Sequence, residues 1–313
     1  MQKRENIRLL IILIALIAAT VAVKTVGGPR RVSFDPKLFS ISDTSQINKV
    51  AITGPNFANI LSKEKGPWMV NGKYPLDEGL RRTLLPVLKE IRIRRPVPDS
   101  RREEISAFLR DEGIKVEIFK DGALAKSFLS GGVKEEGLTW FMETSGAQPY
   151  VVHLPGYESY VAGLFEITEN DWRDRIVLSA PRQTFRRLTL NYPEGTAQSF
   201  SILFDGLSIG MPGINDPDTA RILNYLNLSE YLLADKYLDH GEYPVYDSIA
   251  AGNPYATLAV EKTTGRRDSV VFFPKQENNP FIAGKLEDGQ IVLFEYDRIK
   301  GLFAKREDFE KSR

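Results

Sequence analysis

The stretch PYVVHLPGYESYVAGLF, Pro149–Phe165, looks like the end of a folded domain, although about half of the 313-residue chain follows it. A second stretch, QIVLFEYDRIKGLF, Gln290–Phe303, has the same design: an apolar strand, then an amphipathic segment that closes on Gly-Leu-Phe. A helix with one apolar face needs a sheet to cover it. The sequence therefore predicts that each stretch ends in a helix that closes a core of its own.

The two stretches belong to a longer repeat with constant spacing. The strand pattern NKVAITGP around Val50 returns as FRRLTLNYP around Leu188, 138 positions later. Gly163 and Gly301, near the ends of the two blocks, are separated by the same 138 positions. This period is too long for a solenoid repeat, and it indicates a duplicated domain.

Turn and cap residues between these landmarks predict the fold class. Asp121-Gly122 and Thr264-Gly265 each join two apolar segments, which is typical of a hairpin of antiparallel strands. Asp77 opens an amphipathic helix in the first block, and Asp216-Pro217 is expected to open its counterpart. We expect an α+β protein: a tandem duplication of a mostly antiparallel sheet domain with flanking helices, preceded by one N-terminal transmembrane helix.

The N-terminus carries an apolar run that is flanked by basic residues. Leu9–Val26 would contact a lipid bilayer as a signal anchor, provided that Lys24 extends to the interface. A cleavable signal peptide and a buried core helix are the alternatives. The expected organisation is an anchor at 1–26, a tether at 27–46, a first repeat at 47–168, a linker at 169–184 and a second repeat at 185–310.

Composition excludes several functional classes. The formal net charge is +1, which argues against a nucleic-acid-binding protein, whose signature is a large basic excess. The chain has no cysteine, so disulfides, thiolate metal sites and a cysteine nucleophile are excluded. With only His153 and His240, a histidine-rich metal site is not expected. We expect no catalytic residue, no metal and no cofactor.

The junction between the blocks contains the segment DWRDR, with alternating charges around a tryptophan. One interpretation is a solvated, salt-bridged linker with the tryptophan wedged between domains. The other is a binding cleft between the repeats, because clefts between domains commonly hold ligands. The residues of this candidate cleft are Asp171, Trp172, Arg173 and Arg175.

A second charged segment, KEIRIRRPVPDSRR, is strongly basic. Arginines on an edge strand guard against pairing with other sheets, and a solvated basic face is the simpler interpretation. The alternative is an anionic partner: lipid headgroups, an acidic glycan or an acidic protein. The candidate residues are Arg92, Arg94, Arg95, Arg101 and Arg102.

Four segments in their order resemble a bacterial family of single-span proteins, known as domain of unknown function number forty-three forty. They are WMVNGKYPLD (Trp68–Asp77), RRPVP (Arg94–Pro98), PYVVHLPG (Pro149–Gly156) and DWRDR (Asp171–Arg175). That domain is similar to one in the auxiliary, substrate-binding-like subunits of gliding-associated ABC transporters. The resemblance implies an extracytoplasmic accessory role, and it supplies no catalytic residue.

The functional prediction combines the anchor, the duplication and the resemblance. We expect a non-enzymatic accessory or scaffold protein of an ABC-type transport or envelope complex. It would span the bacterial inner membrane once, with its N-terminus cytoplasmic and the bulk of the chain periplasmic. Its partners would be the bilayer and other envelope or transporter proteins. The alternatives are a protein that binds a small molecule or glycan in the cleft between the repeats, and an enzyme.

Overall fold

The computed structural model describes residues 13–21, 34–63, 66–182, 184–206 and 208–311. The chain divides into an N-terminal unit, Met1–Leu38, and a large compact unit, Phe39–Arg313. Both repeats therefore lie within one compact unit. The fold is α+β, with mostly antiparallel sheets and few helices.

In the N-terminal unit, residues 13–21 form a helix, α1. Its large apolar side chains are exposed; for example, Leu16 is 61% exposed. Among the described residues, no helix has both the length and the apolarity needed to cross a membrane. The predicted span Leu9–Val26 extends beyond α1 at both ends, and residues 9–12 and 22–26 lie outside the described residues.

The first repeat contains nine strands in one sheet. The elements are β1 (Ile47–Thr53), β2 (Ala58–Ser62), β3 (Met69–Val70), β4 (Tyr74–Pro75), α2 (Glu78–Glu90), β5 (Arg92–Pro96), α3 (Asp99–Asp111), β6 (Ile114–Lys120), β7 (Ala123–Val133), β8 (Leu138–Glu143), β9 (Tyr150–His153) and α4 (Glu169–Trp172). Short 3-10 helices lie at Lys134–Glu136 and Val161–Leu164.

The second repeat is built around a sheet of eight strands. The elements are β10 (Ile176–Ser179), β11 (Phe185–Asn191), β12 (Phe200–Phe204), β13 (Ile209–Gly210), α5 (Thr219–Ser229), β14 (Tyr231–Leu233), β15 (Lys236–Leu238), α6 (Pro244–Ala250), β16 (Ala256–Lys262), β17 (Arg267–Phe272), β18 (Phe281–Leu286), β19 (Ile291–Glu295) and α7 (Tyr296–Ile299). Strands β10 and β14 form a separate two-stranded sheet, and 3-10 helices lie at Thr196–Gln198, Lys300–Leu302 and Arg306–Phe309.

The two large sheets have the same strand order. The first is β4-β3-β2-β1-β6-β7-β8-β9-β5 and the second is β13-β12-β11-β16-β17-β18-β19-β15, so among the described strands of these two sheets only β4 has no counterpart. Every strand pairing between described strands is antiparallel. An irregularity in register falls between Ile47 and Lys49 in the first sheet and between Phe185 and Arg187 in the second, 138 positions later. These matches fit a duplicated domain.

Each sheet is covered on both faces. In the second repeat, α5 contributes Ile222 and Leu226 to the larger core. On the opposite face, α6 packs residues such as Ile249 against the alternate side chains of β17–β19. In the first repeat, α3 packs Ile105 and Leu109 over β8 in the equivalent way. Because successive strand residues point to opposite faces, both faces of these strands are apolar.

Two predictions of helix position were wrong in detail. In the predicted helix between Gly156 and Phe165, the described helical residues are Val161–Leu164, which form a 3-10 turn. Tyr157, which was expected on the buried face, is 72% exposed. A tight bend, in which the Tyr157 N–H donates to the carbonyl of Leu154 at 3.0 Å, uses the preceding residues. The segment still covers the sheet, since Phe165 is fully buried.

Helix α5, the counterpart of α2 in the second repeat, begins two residues later than predicted. Asp218 rather than Asp216 is its N-cap, and its side chain accepts a hydrogen bond from the Arg221 N–H at 3.1 Å. In the first repeat, the predicted cap Asp77 accepts from the Leu80 N–H at 2.8 Å. The Asp-Pro pair was misleading because a second aspartate follows the proline.

Part of the predicted tether packs in the first repeat. Phe39 is only 3% exposed, and its ring lies edge-on to those of Phe128 and Phe141, with centroids 5.7 and 5.4 Å away. The Ile41 N–H donates to the Leu88 carbonyl of α2 at 2.9 Å. The folded unit therefore begins several residues before β1.

Candidate functional site

Arg173 is a buried arginine that joins the two repeats. It is 5% exposed, and its guanidinium lies between two tyrosine rings. The guanidinium carbon is 3.5 Å from the ring centroid of Tyr74, in the first repeat, and 3.7 Å from that of Tyr237, in the second. A planar guanidinium suits this position, because it can stack on aromatic faces on both sides.

Hydrogen bonds orient this guanidinium. Arg173 Nη1 donates to Asn170 Oδ1 and to Gln290 Oε1, both at 3.1 Å. Gln290 is held in turn, because its Nε2 donates to the Leu238 carbonyl at 2.5 Å. The cation thus contacts ring faces and two amide oxygens; the oxygens accept hydrogen bonds from it, and neither kind of contact is an ion pair.

The local fold explains how the sequence places Arg173 at this joint. Helix α4 makes a single turn that ends at the fully buried Trp172. The Trp172 carbonyl accepts from the Asp77 N–H at 2.9 Å, and Arg173 forms a bridge with Leu76. The backbone of Arg173 therefore belongs to the first repeat while its side chain points toward the second.

The second repeat closes in the same manner. There the Phe309 carbonyl accepts from the Asp218 N–H at 2.8 Å, and Glu310 forms a bridge with Pro217. Each repeat therefore ends with a buried aromatic residue beside the start of its first long helix. By this match, Glu310 occupies in the second repeat the place that Arg173 occupies in the first.

Burial and charge affect the ionisation of the residues around the joint. Burial raises the pKa of the Tyr237 phenol to about 12, although the neighbouring Arg173 opposes this shift. A hydrogen bond with Tyr74 raises the pKa of Lys73. The Tyr237 hydroxyl donates to the Asp174 carbonyl at 2.7 Å, so it is used structurally in its protonated form.

A polar cavity of about 320 Å³ lies next to this joint. It is lined by residues of both repeats: Lys73, Tyr74, Leu238, Asp239, His240, Asp247, Asp288, Gly289, Gln290 and Ile291. His240 Nδ1 lies 2.9 Å from Asp247 Oδ1, and Asp247 Oδ2 accepts from the Gly241 N–H at 3.0 Å. Carboxylates thus outnumber cations on the cavity wall.

The cavity wall offers several hydrogen-bonding groups. Asp247 pairs with the imidazole of His240, whose side chain is 95% exposed, and the described residues that line the cavity include no serine or threonine. No group of three or more metal-ligating side chains forms within the described ranges. The arrangement is suited to binding a polar molecule.

The structure separates the four residues of the predicted cleft. Trp172 is fully buried and Arg173 joins the repeats, whereas Asp171 and Arg175 are exposed. None of the four is among the described residues that line the cavity, although Arg173 contacts two residues that do. The sequence did not single out Tyr74, Tyr237 or Gln290.

The basic segment is divided between paired and unpaired arginines. Arg92 pairs with Glu90, Arg101 with Glu104 and Arg102 with Asp99. Arg94 and Arg95 are exposed, and neither side chain makes an ion pair with another described residue. Both lie on β5, which is one of the two edge strands of its sheet.

Comparisons with protein-family models, with curated proteins and with solved structures found no match for this chain.

Proposed function

We propose that this protein is a membrane-anchored accessory or scaffold subunit that acts outside the cytoplasm, in an ABC-type transport or envelope complex, without catalysing a reaction. The observation that carries the proposal is the joint at Arg173. A buried cation held between two rings and two amide oxygens favours a fixed arrangement of the repeats. A fixed arrangement suits a subunit that positions other proteins.

The apolar N-terminus supports the membrane part of the proposal. Leu9–Val26 would anchor the chain in the bacterial inner membrane, with the N-terminus cytoplasmic and the folded unit periplasmic. The resemblance to the forty-three forty domain, and through it to the auxiliary subunits of gliding-associated transporters, supports the ABC-type complex.

Topology can be tested directly because the chain has no cysteine. We would introduce Leu124→Cys, at a position that is 55% exposed, and separately Gln2→Cys. A membrane-impermeant maleimide should label the first variant in intact cells and the second only after lysis. Labelling of Gln2→Cys in intact cells, or release of the first variant into the soluble fraction, would contradict the proposed topology.

The accessory role is tested by purification from native membranes in a mild detergent. We expect a membrane-spanning or ATP-binding transporter subunit, or another envelope protein, in a fixed ratio to this chain. A variant that lacks residues 1–26 serves as the control for contacts that need the anchor. Recovery of the full chain alone, under conditions in which other envelope complexes stay intact, would reject the role.

A second candidate function rests on the cavity of about 320 Å³. A small polar molecule or glycan would bind there, with hydrogen bonds to Asp239, Asp247 and Asp288. A ligand present at a hundred times its dissociation constant should raise the free energy of unfolding by about 2.7 kcal/mol. The test is a thermal-shift screen of sugars and polar metabolites, repeated with Asp247→Asn. A hit that stabilises both proteins equally would exclude the cavity as its site.

A further inference from the structure

The joint between the repeats has two unlike sides. We call the end of the first repeat, with Tyr74, Asn170 and Arg173, its inserting end. We call the surface of the second repeat that accepts it, with Tyr237, Leu238 and Gln290, its receiving face. An interface between two different surfaces is heterologous, and a heterologous contact can continue from one molecule to the next.

Part of the receiving face recurs in the first repeat, where the strand register places Pro96 at the position of Tyr237. Gln148 matches Gln290 because the two side-chain amide nitrogens make the same pair of hydrogen bonds. Each donates to a backbone carbonyl at the end of the neighbouring edge strand and to the backbone carbonyl of the residue that follows it in sequence. Gln148 Nε2 donates to the Val97 carbonyl at 3.2 Å and to that of Pro149 at 2.8 Å. Gln290 Nε2 makes the equivalent bonds to Leu238 and Ile291. Gln148 is half-buried, and Arg94 and Arg95 on the neighbouring strand β5 are exposed.

The second repeat has the matching backbone of an inserting end, without a described counterpart of Tyr74, and its residues Glu307 and Glu310 are exposed. Glu310 stands at the place of Arg173, as the two matching bridges show. Its neighbour Lys311 pairs with Asp216 at 2.6 Å, and Glu310 itself makes no ion pair with another described residue. Glu307, at the place of Asn170, adds a second carboxylate to this end.

The charges at these free surfaces are the reverse of those at the occupied joint. Within the chain, a cation, Arg173, inserts next to a face that carries Asp239 and Asp288. At the free surfaces, the inserting end presents Glu310, and the receiving face is flanked by the exposed Arg94 and Arg95. Arg95 stands at the register position of Lys236, but Lys236 is paired with Glu242, whereas Arg95 makes no ion pair with another described residue. Each free surface therefore complements the other and repels the surface that already has a partner within the chain.

From this we infer that the receiving face of the first repeat binds the inserting end of the second repeat of another copy of this chain, head to tail. Glu310 of one copy would face Arg94 and Arg95 of the next, beside Gln148. The acidic protein partner of the basic segment would thus be a second copy of this chain. Because the contact does not close on itself as a two-fold dimer, it would form short linear assemblies.

Association is tested with the full chain in mild detergent by sedimentation velocity at several protein concentrations and at low and high salt. We expect dimers and longer species that decrease at high salt. Either Glu310→Arg or Arg95→Glu should weaken association by about tenfold or more, and the two changes combined should restore it. Glu277→Arg, in an exposed loop, is the matched control and should have no effect. A monomer at every concentration would overturn the inference.

Cross-linking distinguishes the proposed head-to-tail contact from association through the apolar N-terminus. The double variant Gln148→Cys with Glu310→Cys should form a ladder of disulfide-linked species on oxidation. Each single variant should stay monomeric, because identical positions are far apart in a head-to-tail contact. Equal cross-linking of the single variants, or no ladder from the double variant, would reject the assignment.

Discussion

Arg173→Ala is the change that most directly tests the joint between the repeats. The substitution removes a guanidinium between two tyrosine rings, at 3.5 and 3.7 Å, and two hydrogen bonds of 3.1 Å. Two desolvated cation–π contacts contribute about 4 kcal/mol together, and two charged hydrogen bonds contribute about 3 kcal/mol. Burying the cation costs several kcal/mol, roughly 4 here, so the expected net loss is about 3 kcal/mol.

The measurement is thermal unfolding followed by calorimetry and tryptophan fluorescence. A loss of about 3 kcal/mol should lower the melting temperature by about 6–12 °C in a unit of this size. The two repeats should also unfold independently of each other, so that the single thermal unfolding transition becomes two. Arg173→Lys keeps the charge but loses the planar group, and we expect it to recover less than half of the loss.

Arg175→Ala is the matched control, because Arg175 is an exposed arginine two positions away. Surface substitutions of this kind change stability by about 0.5 kcal/mol or less. The reasoning would be refuted if Arg173→Ala were no more destabilising than Arg175→Ala. Full recovery by Arg173→Lys would refute the stacking argument separately, since it would show that charge alone is sufficient.

Three further predictions concern the sheets, the caps and the joint. Gly132→Ala should lower the free energy of unfolding, measured in urea, by roughly 3 kcal/mol, because its new Cβ would overlap a backbone carbonyl of β8. The new Cβ of Gly210→Ala would meet no atom within 4 Å, so this variant should leave the free energy of unfolding nearly unchanged. Asp77→Ala and Asp218→Ala should each cost about 1 kcal/mol, since each removes an N-cap; a much larger loss for only one would show that the caps are not equivalent. The pKa of Tyr237 is raised to about 12 from an ordinary 10.0, so its contribution to stability should be complete below pH 10 and decrease between pH 10 and 12 as the unfolded chain loses the proton first. Tyr237→Phe should flatten that part of the curve of unfolding free energy against pH, and an unchanged curve would contradict the assignment.

The sheets could be predicted because their signals are local. Alternation around Val50 and Leu188 predicts strands, and glycines at Gly122 and Gly265 supply the positive φ that tight turns require. The constant spacing then indicated two copies. The prediction of a helix after Pro155 was wrong. An apolar segment can cover a sheet without forming a full helix, as the 3-10 turn at Val161–Leu164 does.

The joint could not be predicted in the same way. A segment with alternating charges is usually solvated, and although Arg173 was one of four candidates for a cleft, no local pattern distinguishes it from Asp171 or Arg175. Its burial depends on Tyr74 and Tyr237, which lie far from it in sequence and meet it only when both repeats are folded. A signal was present in the equivalence of Gln148 and Gln290, since both precede the quoted strands by one or two positions. That signal could be interpreted only once the hydrogen bonds were known.

The hydrogen bond from Asp77 to Trp172 has a consequence for synthesis on the ribosome. The start of helix α2 is completed by a residue made almost a hundred positions later, and the same holds for Asp218 and Phe309. At roughly 5–20 residues per second, a nascent first repeat would wait several seconds before its last turn emerges. Fragments that stop before Trp172 should therefore require chaperones and be degraded, whereas fragments that continue past it should accumulate as protease-resistant products.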